Sequence, residues 1–296
     1  MEKIRVAIER PDKGQLGLLV WWGSWKASVT PQRLQELAEE YFLPLELLPP
    51  VPSPEKAFRR AATRAVADDP DYIVEQTYSD AFEITYGILH KRTDKAGRRA
   101  EHTQVAKASW FPPLDSFVSD QPGHKVVEAI RKDLPYYTSH YVTDDIRVLA
   151  HNVMRTAYAI RMVGSGGNSR FIPGRAPVVE ALAEVLRQVP GCEFELIRVP
   201  DDELSRGTMV RAAESSFASQ VEETEKEVKR LQEAMEKAQE DSGKGPREST
   251  LQARISELQD ISAKVDLFSE VLRFKADTLQ ERLQGAEKAL RGLLGI

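Results

Sequence analysis

The chain has 296 residues, of which 41% are hydrophobic and 29% are charged, and its 41 Lys and Arg face 46 Asp and Glu, giving a formal net charge of −5. This composition is typical of a soluble globular protein and excludes a generally basic surface for nucleic acid, but not a local basic patch. A single cysteine excludes an intramolecular disulfide and a cysteine-based zinc cluster. The sequence has no apolar signal core at its start and no run of about 18 apolar residues, so we expect a cytoplasmic protein without membrane contact.

The first 67 residues predict two strands and then two helices. Turn-forming residues separate the two strand-like runs, and each helix starts where a Thr or Ser that can cap the first turn precedes a proline. A stiff connector with five prolines at 43–54 joins the helices and marks a candidate sub-boundary between domains. The predicted elements are strands at Lys3–Ile8 and Leu16–Trp22, a helix from Pro31, and a helix over Pro54–Ala67.

The next segment, 71–111, predicts a three-stranded antiparallel meander. Its runs are rich in β-branched and aromatic residues, and the residues at 94–97 have the composition of a turn. A helix near Val126–Leu134 follows it. The three predicted strands contain Tyr72–Val74, Phe82–Tyr86 and Val105–Phe111.

Residues 143–205 predict a helix–strand–helix–strand module. Thr143 is placed to cap the first helix, and Asp144 and Asp145 suit its positive end. The glycine-rich residues 164–167 end this helix, which is the wrong order for a phosphate loop that follows a strand and opens a helix. The predicted elements are a helix over Thr143–Val163, a strand at Arg170–Ile172, a helix from Pro177 and a strand at Phe194–Val199.

The last third predicts a long antiparallel coiled-coil hairpin. Its two arms, Met209–Glu240 and Glu248–Leu293, flank a turn at 241–247. Apolar residues recur every seven positions in the second arm, which is typical of a coiled coil. The sequence therefore predicts an α+β fold, with a mixed body at 1–205 that contains the antiparallel meander and a coiled-coil hairpin at 206–296.

The seam of this hairpin narrows in the middle of the second arm. Ser262 and Ser269 bury little area, whereas Ile261 and Phe268 beside them would stay exposed in a two-helix seam. We therefore expect a third element here, either the α+β body, a second copy or a protein partner. These four residues are the candidate partner-binding residues.

Basic residues form the clearest candidate binding surface. Positive side chains on one face bind phosphate backbones without base specificity, and a hairpin tip can reach a groove. Asp94 and Glu101 dilute this charge, so a solvated charged turn is the alternative interpretation. The candidates are Lys56, Arg59, Arg60 and Arg64 on the helix over Pro54–Ala67, and Lys91, Arg92, Lys95, Arg98 and Arg99 on the predicted hairpin.

Three further patterns have a structural and a functional interpretation. Arg147, His151 and Arg155 form a second basic stripe, for which a solvated helix face is the favoured interpretation. A cluster of Trp21, Trp22 and Trp25 could stack on bases or fill a partner groove, but a small core is favoured. Carboxylates could meet on the meander and hold Mg²⁺, although nothing in the sequence fixes their geometry. These carboxylates are Glu75, Asp80 and Glu83.

Two short segments resemble a known family. In Arg161–Pro173 a helix is followed by Gly166-Gly167 and then by Arg170-Phe171-Ile172-Pro173, and Ala57–Ala61 follows the proline-rich connector. Together they resemble an uncharacterised family of proteins encoded by phages and bacterial mobile elements, over about 49–221. The resemblance implies a phage or mobile-element setting and no particular activity.

The favoured function is that of a non-enzymatic accessory protein. It would bind a protein partner or a second copy through the coiled coil and contact nucleic acid, with DNA as one candidate, or a nucleoprotein complex, through the basic surface. We expect no cofactor, no resident metal and no catalytic residues. The alternatives are a metal-dependent nucleic-acid-processing enzyme and a purely structural oligomerising protein.

Overall fold

A computed structural model describes residues 12–93, 100–162, 169–240 and 245–295. This part of the chain has a mixed α/β fold with antiparallel sheets, and its buried residues form three hydrophobic clusters. Three sequence predictions lie outside the described residues: the strand at Lys3–Ile8, the turn at 94–97 and the loop at 164–167.

The central sheet is built around one long strand. Strand β1 (Gln15–Ser24) lies between two antiparallel neighbours, and the strand order is β10-β1-β9-β8. Gly17 is needed here because a Cβ at this position would lie 2.1 Å from the carbonyl oxygen of Ile172. The other strands are β8 (Ile160–Arg161), β9 (Ser169–Pro173) and β10 (Cys192–Pro200).

Helices cover one face of this sheet. Because side chains alternate along β1, Leu18, Val20 and Trp22 all point into the cluster that these helices bury. Beside them, two short strands pair antiparallel. The elements on this side are β2 (Ser28–Val29), α1 (Pro31–Glu40), β7 (Tyr141–Val142), α4 (Thr143–Thr156) and α5 (Pro177–Arg187).

Helix α4 differs from its prediction at both ends. It stops at Thr156, seven residues short of Val163, because the chain turns there into strand β8. Val142, not Thr143, is the N-cap residue. The Thr143 hydroxyl instead accepts a hydrogen bond from the Ala27 backbone amide at 3.0 Å, which ties the helix start to the connection between β1 and β2.

A separate unit with its own core interrupts this arrangement. Two helices pack on a four-stranded antiparallel meander, in which the Phe58 ring contacts Tyr86 and Trp110 at centroid distances of 5.2 and 6.1 Å. Where the chain enters and leaves this unit, the Tyr141 hydroxyl donates to the Pro49 carbonyl at 2.8 Å. The unit consists of α2 (Pro54–Ala67), β3 (Tyr72–Ser79), β4 (Ile84–Thr93), β5 (Ala100–Phe111), β6 (Ser116–Ser119) and α3 (Lys125–Ser139).

The meander has one strand more than the three predicted. Strand β6 is only four residues long and follows a short 3-10 turn, so its sequence carries almost no period-two signal. It pairs with β5 from Ala108 to Phe111.

The C-terminal third forms three helices rather than two arms. Arg273 adopts the left-handed conformation with φ of 57°, which ends the second arm and folds the rest of the chain back along it. The first two helices are antiparallel, because the start of the first contacts the end of the second. The Arg206 side chain donates a hydrogen bond to the Val271 carbonyl at 3.2 Å, and further along Glu227 forms an ion pair with Arg254 at 3.5 Å. The helices are α6 (Glu203–Glu240), α7 (Glu248–Leu272) and α8 (Asp277–Leu294).

The chain itself supplies the third element expected beside the seam. The Phe268 ring makes edge contacts with Phe171 of β9 and Phe217 of α6, at 6.0 and 5.3 Å between centroids. Ile261 is buried in the same cluster, which also contains Leu16 of β1. The C-terminal helices therefore share a core with the second face of the central sheet across the boundary predicted at 205. Among the described residues, no helix combines the length and the apolar character needed to cross a bilayer.

Candidate nucleic-acid interface

Two of the predicted phosphate-binding cations form ion pairs with a buried carboxylate. Lys56 Nζ lies 2.7 Å from Asp145 Oδ1, and the two terminal nitrogens of Arg60 lie 2.7 and 3.0 Å from the Asp145 carboxylate oxygens. The Asp145 side chain is fully buried, and that of Arg60 is only 12% exposed. We therefore remove Lys56 and Arg60 from the candidate surface, because their charges hold helix α2 against the start of α4.

The Asp145 carboxylate is stabilised in its charged form. Burial by itself raises the pKa of Asp145, but hydrogen bonds from Arg60, Lys56 and the Val142 amide outweigh it and hold the pKa below its ordinary value. The hydrogen bond from the Val142 amide, which is 3.0 Å long, also satisfies one of the backbone donors at the N-terminus of α4. One carboxylate thus joins the meander unit to the helices on the central sheet.

The other two candidates on α2 remain at the surface. Arg59 is exposed, and Arg64 pairs with Asp68 one turn later at 3.1 Å, with both side chains more than half exposed. Such an exposed pair is weak and can open to bind an anion.

Strands β4 and β5 continue as a two-stranded ribbon beyond the rest of the meander. Pairing between β3 and β4 ends where Tyr72 lies opposite His90. The β4–β5 pairing continues through Lys91 opposite His102 and Arg92 opposite Glu101. Lys91 and Arg92 are both exposed, and being adjacent in a strand they point to opposite faces of the ribbon. The candidates Lys95, Arg98 and Arg99 lie outside the described residues.

The carboxylates considered for Mg²⁺ lie close together in sequence but have structural partners. Asp80 Oδ1 accepts the backbone amides of Phe82 and Glu83, each at 2.7 Å, which closes the β3–β4 turn. Glu83 Oε1 accepts the Thr85 hydroxyl at 2.7 Å. Glu75 is exposed on β3. Over the described ranges, no group of three or more His, Cys, Asp or Glu side chains is placed to hold a metal ion.

Three of the four candidate partner-binding residues face other parts of the same chain. Ile261 and Phe268 are buried, and the Ser262 hydroxyl donates a hydrogen bond to Gln280 of α8 at 2.8 Å. The Ser269 hydroxyl instead donates to the Asp266 carbonyl of its own helix at 2.8 Å. The small Ser262 side chain therefore lets α8 approach α7 closely.

The tryptophan cluster divides between core and surface. Trp22 is buried, and the His151 ring meets its edge at 5.9 Å. Trp25 is 57% exposed and lies 6.2 Å from Trp21 between ring centroids. On the second basic stripe, Arg147 pairs with Asp144 at 3.4 Å at the surface.

Sequence reasoning missed an exposed apolar surface at the opposite end of the meander from the ribbon. Phe82 and Leu114, on the β3–β4 and β5–β6 connections, are 70% and 77% exposed. Both connections lie at the end where Ile84 pairs with Trp110, because antiparallel strands alternate in direction. The only signal in the sequence was a large apolar residue at each turn, where polar residues are usual. Together with Tyr78 and Val118, they form what we call the turn-end surface.

Comparison with known proteins identifies the family but no function. Searches of the curated proteins and of the solved structures found no match. A family model described as a family of unknown function, DUF6744, matches residues 15–295. That range contains all three hydrophobic clusters and the whole candidate interface, so the chain belongs to the DUF6744 family of unknown function.

Proposed function

We propose that this protein is a non-enzymatic accessory factor that contacts nucleic acid, or a nucleoprotein complex, through the β4–β5 ribbon. It binds a protein partner or a second copy through a different surface. A phage or mobile-element setting is part of the proposal and is supported by the resemblance over about 49–221.

The observation that carries the proposal is the projecting ribbon with Lys91 and Arg92. A two-stranded ribbon fits the major groove, and cations on both of its faces can reach the phosphates on either side. The chain has a net charge of −5, so affinity for phosphate has to come from a local group of cations such as this one.

Nucleic-acid contact predicts a salt-dependent binding that the ribbon cations control. Replacing Lys91, Arg92, Arg98 and Arg99 with Gln should weaken binding to duplex DNA across all sequences. Each lost phosphate contact should reduce the slope of log affinity against log salt by about 0.9. Fluorescence anisotropy with two unrelated duplexes, titrated from about 50 to 200 mM salt, measures both quantities.

A matched control distinguishes the effect of losing the ribbon cations from the effect of a changed net charge. Replacing the exposed Arg33, Lys229, Arg230 and Lys288 with Gln removes the same charge elsewhere and should leave the slope unchanged. If the unmodified protein bound neither DNA nor RNA at about 50 mM salt, the proposal would be wrong. Cleavage of the duplex with Mg²⁺, lost on changing Glu75, Asp80 and Glu83 to Ala, would favour the enzymatic alternative.

The heptad spacing supports a coiled-coil-like packing of the C-terminal helices. Antiparallel α6 and α7, with α8 against both, are compatible with it. Because Ile261 and Phe268 are buried, a partner would contact outward faces of these helices rather than their seam.

A second candidate function, self-association, rests on the turn-end surface. Exposed aromatic and aliphatic side chains at two adjacent turns are typical of a protein contact. The acidic Asp80, Glu83 and Asp115 border this surface, and the cationic ribbon is at the other end of the same sheet. This charge complementarity favours a second copy as the occupant.

Self-association predicts a concentration-dependent mass that the turn-end surface controls. Replacing Phe82 and Leu114 with Ser should leave the protein monomeric in sedimentation equilibrium at low salt, where the unmodified chain forms larger species. Leu204, which is also exposed, provides the control as Leu204→Ser. A monomer at all concentrations in the unmodified protein would contradict this candidate.

A further inference from the structure

A pair of aromatic rings lies on the second face of the central sheet, beyond the part that the C-terminal helices cover. Side chains alternate along β1, so Trp21 points away from the buried Trp22 and to the same face as Leu19. Leu19 packs against the cluster that the C-terminal helices bury, whereas Trp21 is only partly buried. The Trp25 ring lies 6.2 Å from that of Trp21 and is 57% exposed. The described helices therefore leave this end of the face open to solvent.

The Trp25 ring is held against the sheet although it is exposed. A Cβ at Gly23 would lie 2.4 Å from the ring, so a side chain at this position would displace the indole from the strand. The Trp25 amide donates to the Gly191 carbonyl at 2.7 Å, and Lys26 takes the left-handed conformation with φ of 54° to let the chain turn there. An aromatic ring fixed in this way loses little freedom when it binds a partner.

Two carboxylates border the aromatic pair. In the pairing of β1 with β10, Glu195 is opposite Trp21 and Glu193 is opposite Gly23, so both carboxylates start from the face of the indole rings. Both are exposed, and within the described ranges neither forms an ion pair. They outnumber Lys26, the cation next to Trp25 in the chain. This negative charge disfavours nucleic-acid bases as the stacking partner, because it repels the phosphates that accompany them.

Strand β10, which carries these carboxylates, is an edge strand. In the described sheet it pairs only with β1. Ile197 and Arg198 point to opposite faces and are both exposed, so neither face of the sheet covers this edge. The outer backbone groups of an edge strand can pair with an added extended chain. Charged side chains discourage indiscriminate pairing, and Glu193 and Glu195 favour an added chain that carries cations.

We propose that an extended basic segment of a partner protein adds to β10 as a further strand of the central sheet. Every second residue of that segment faces what we call the tryptophan surface: Trp21, Trp25, Glu193, Glu195 and Ile197. The indole of Trp21 belongs to β1, two strand spacings or about 10 Å from the added chain. Only long side chains cover this distance, so Arg or Lys residues pair with the carboxylates and stack on the rings. This inference rests on the protein-partner part of the proposed function and is independent of the β4–β5 ribbon.

The test selects a peptide without assuming its sequence. Random nine-residue peptides, which match β10 in length, are displayed on yeast and sorted against the unmodified full-length protein. We expect the selected peptides to be enriched in Arg or Lys at alternate positions. A selection that yields no binders, or binders without an excess of positive charge, would overturn the proposal.

Two variants assign the binding to the tryptophan surface. Trp25→Ala should weaken binding of the best selected peptide about tenfold, because a cation loses the ring on which it stacks. Glu193→Gln together with Glu195→Gln should weaken binding at about 50 mM salt and flatten its dependence on salt. Fluorescence anisotropy measures both effects. Because the replaced side chains are exposed, both variants should melt within about 2 °C of the unmodified protein.

Matched controls distinguish this surface from others. Phe82→Ala removes an exposed ring from the turn-end surface, and Glu233→Gln with Glu236→Gln removes two exposed carboxylates from α6. Both controls should bind the peptide normally. If Trp25→Ala also bound it normally, the tryptophan surface would not be the docking site, although a protein partner could still bind elsewhere. If Trp25→Ala weakened binding of a single-stranded oligonucleotide and not of the peptide, the rings would stack on bases and the proposal would be wrong.

Methylated peptides test whether the segment adds as a strand. An added strand directs alternate backbone amides toward β10 and the others toward solvent. N-methylation of one alternate set should therefore abolish binding, and N-methylation of the other set should preserve it. Equal effects of the two sets would contradict strand addition. The duplex titration of the ribbon variants is a separate measurement, so failure here leaves the nucleic-acid part of the proposed function intact.

Discussion

Replacing Asp145 with Asn is expected to lower the free energy of unfolding by about 3–5 kcal/mol, the typical cost of removing one partner from a buried ion pair. Asn keeps the shape of the side chain but leaves the nearly buried Arg60 and the partly exposed Lys56 facing a neutral group that is itself fully buried. Urea denaturation followed by circular dichroism measures the change. Because the carboxylate joins two hydrophobic cores, we also expect the meander unit of the Asp145→Asn variant to unfold separately from its central sheet.

The adjacent carboxylate provides the matched control. Asp144 is 72% exposed and pairs only at the surface with Arg147, so Asp144→Asn should change the stability by less than about 1 kcal/mol. Equal effects of the two substitutions would contradict the role given to Asp145.

The same carboxylate predicts a pH dependence. Its pKa is lower in the folded than in the unfolded protein, so its stabilisation is complete above the ordinary pKa of Asp, about 3.9. It is lost as the pH falls from there through the lower pKa of the folded state. The difference in stability between the unmodified protein and Asp145→Asn should therefore shrink in acid.

Replacing Phe268 with Ala is expected to cost about 3–5 kcal/mol, because it leaves a cavity between the Phe171 and Phe217 rings. The side chain is fully buried where the C-terminal helices meet the central sheet. Thermal and urea unfolding should both detect the loss.

Phe82 is the control for this substitution. It is 70% exposed, so Phe82→Ala should change stability by no more than about 0.5 kcal/mol. A near-neutral Phe268→Ala would mean that the C-terminal helices do not dock on the sheet in solution. A charged residue at this position, as in Phe268→Glu, should unfold the docked helices, and loss of association in such a variant would not identify a partner surface.

Helix α2 shows which features local sequence can predict. Its limits match the prediction because the signals are local: the Ser53 hydroxyl accepts the Lys56 amide at 3.2 Å, and Pro54 occupies the first helical position. The break at Arg273 could not be foreseen, since neither Gly nor Pro marks it and the heptad repeat continues through it. The left-handed conformation of Arg273 is stabilised by tertiary packing of α8, which overrides a local cost of about 1–2 kcal/mol.

The candidate interface shows the same limit. Exposure of Lys91 and Arg92 follows from their place near the end of β4, beyond the last residue that pairs with β3. Lys56 and Arg60 are lost to the interface because they pair with Asp145, which is 89 and 85 residues away and belongs to another helix. Charge and spacing along α2 contain no information about these long-range ion pairs.

The hydrogen bond between the Tyr141 hydroxyl and the Pro49 carbonyl has a consequence for how this chain can be cut and rejoined. Since the two ends of the segment between them are adjacent, a short glycine-rich link could replace it with a small loop-closure cost. The excised segment has its own hydrophobic core and could be expressed alone.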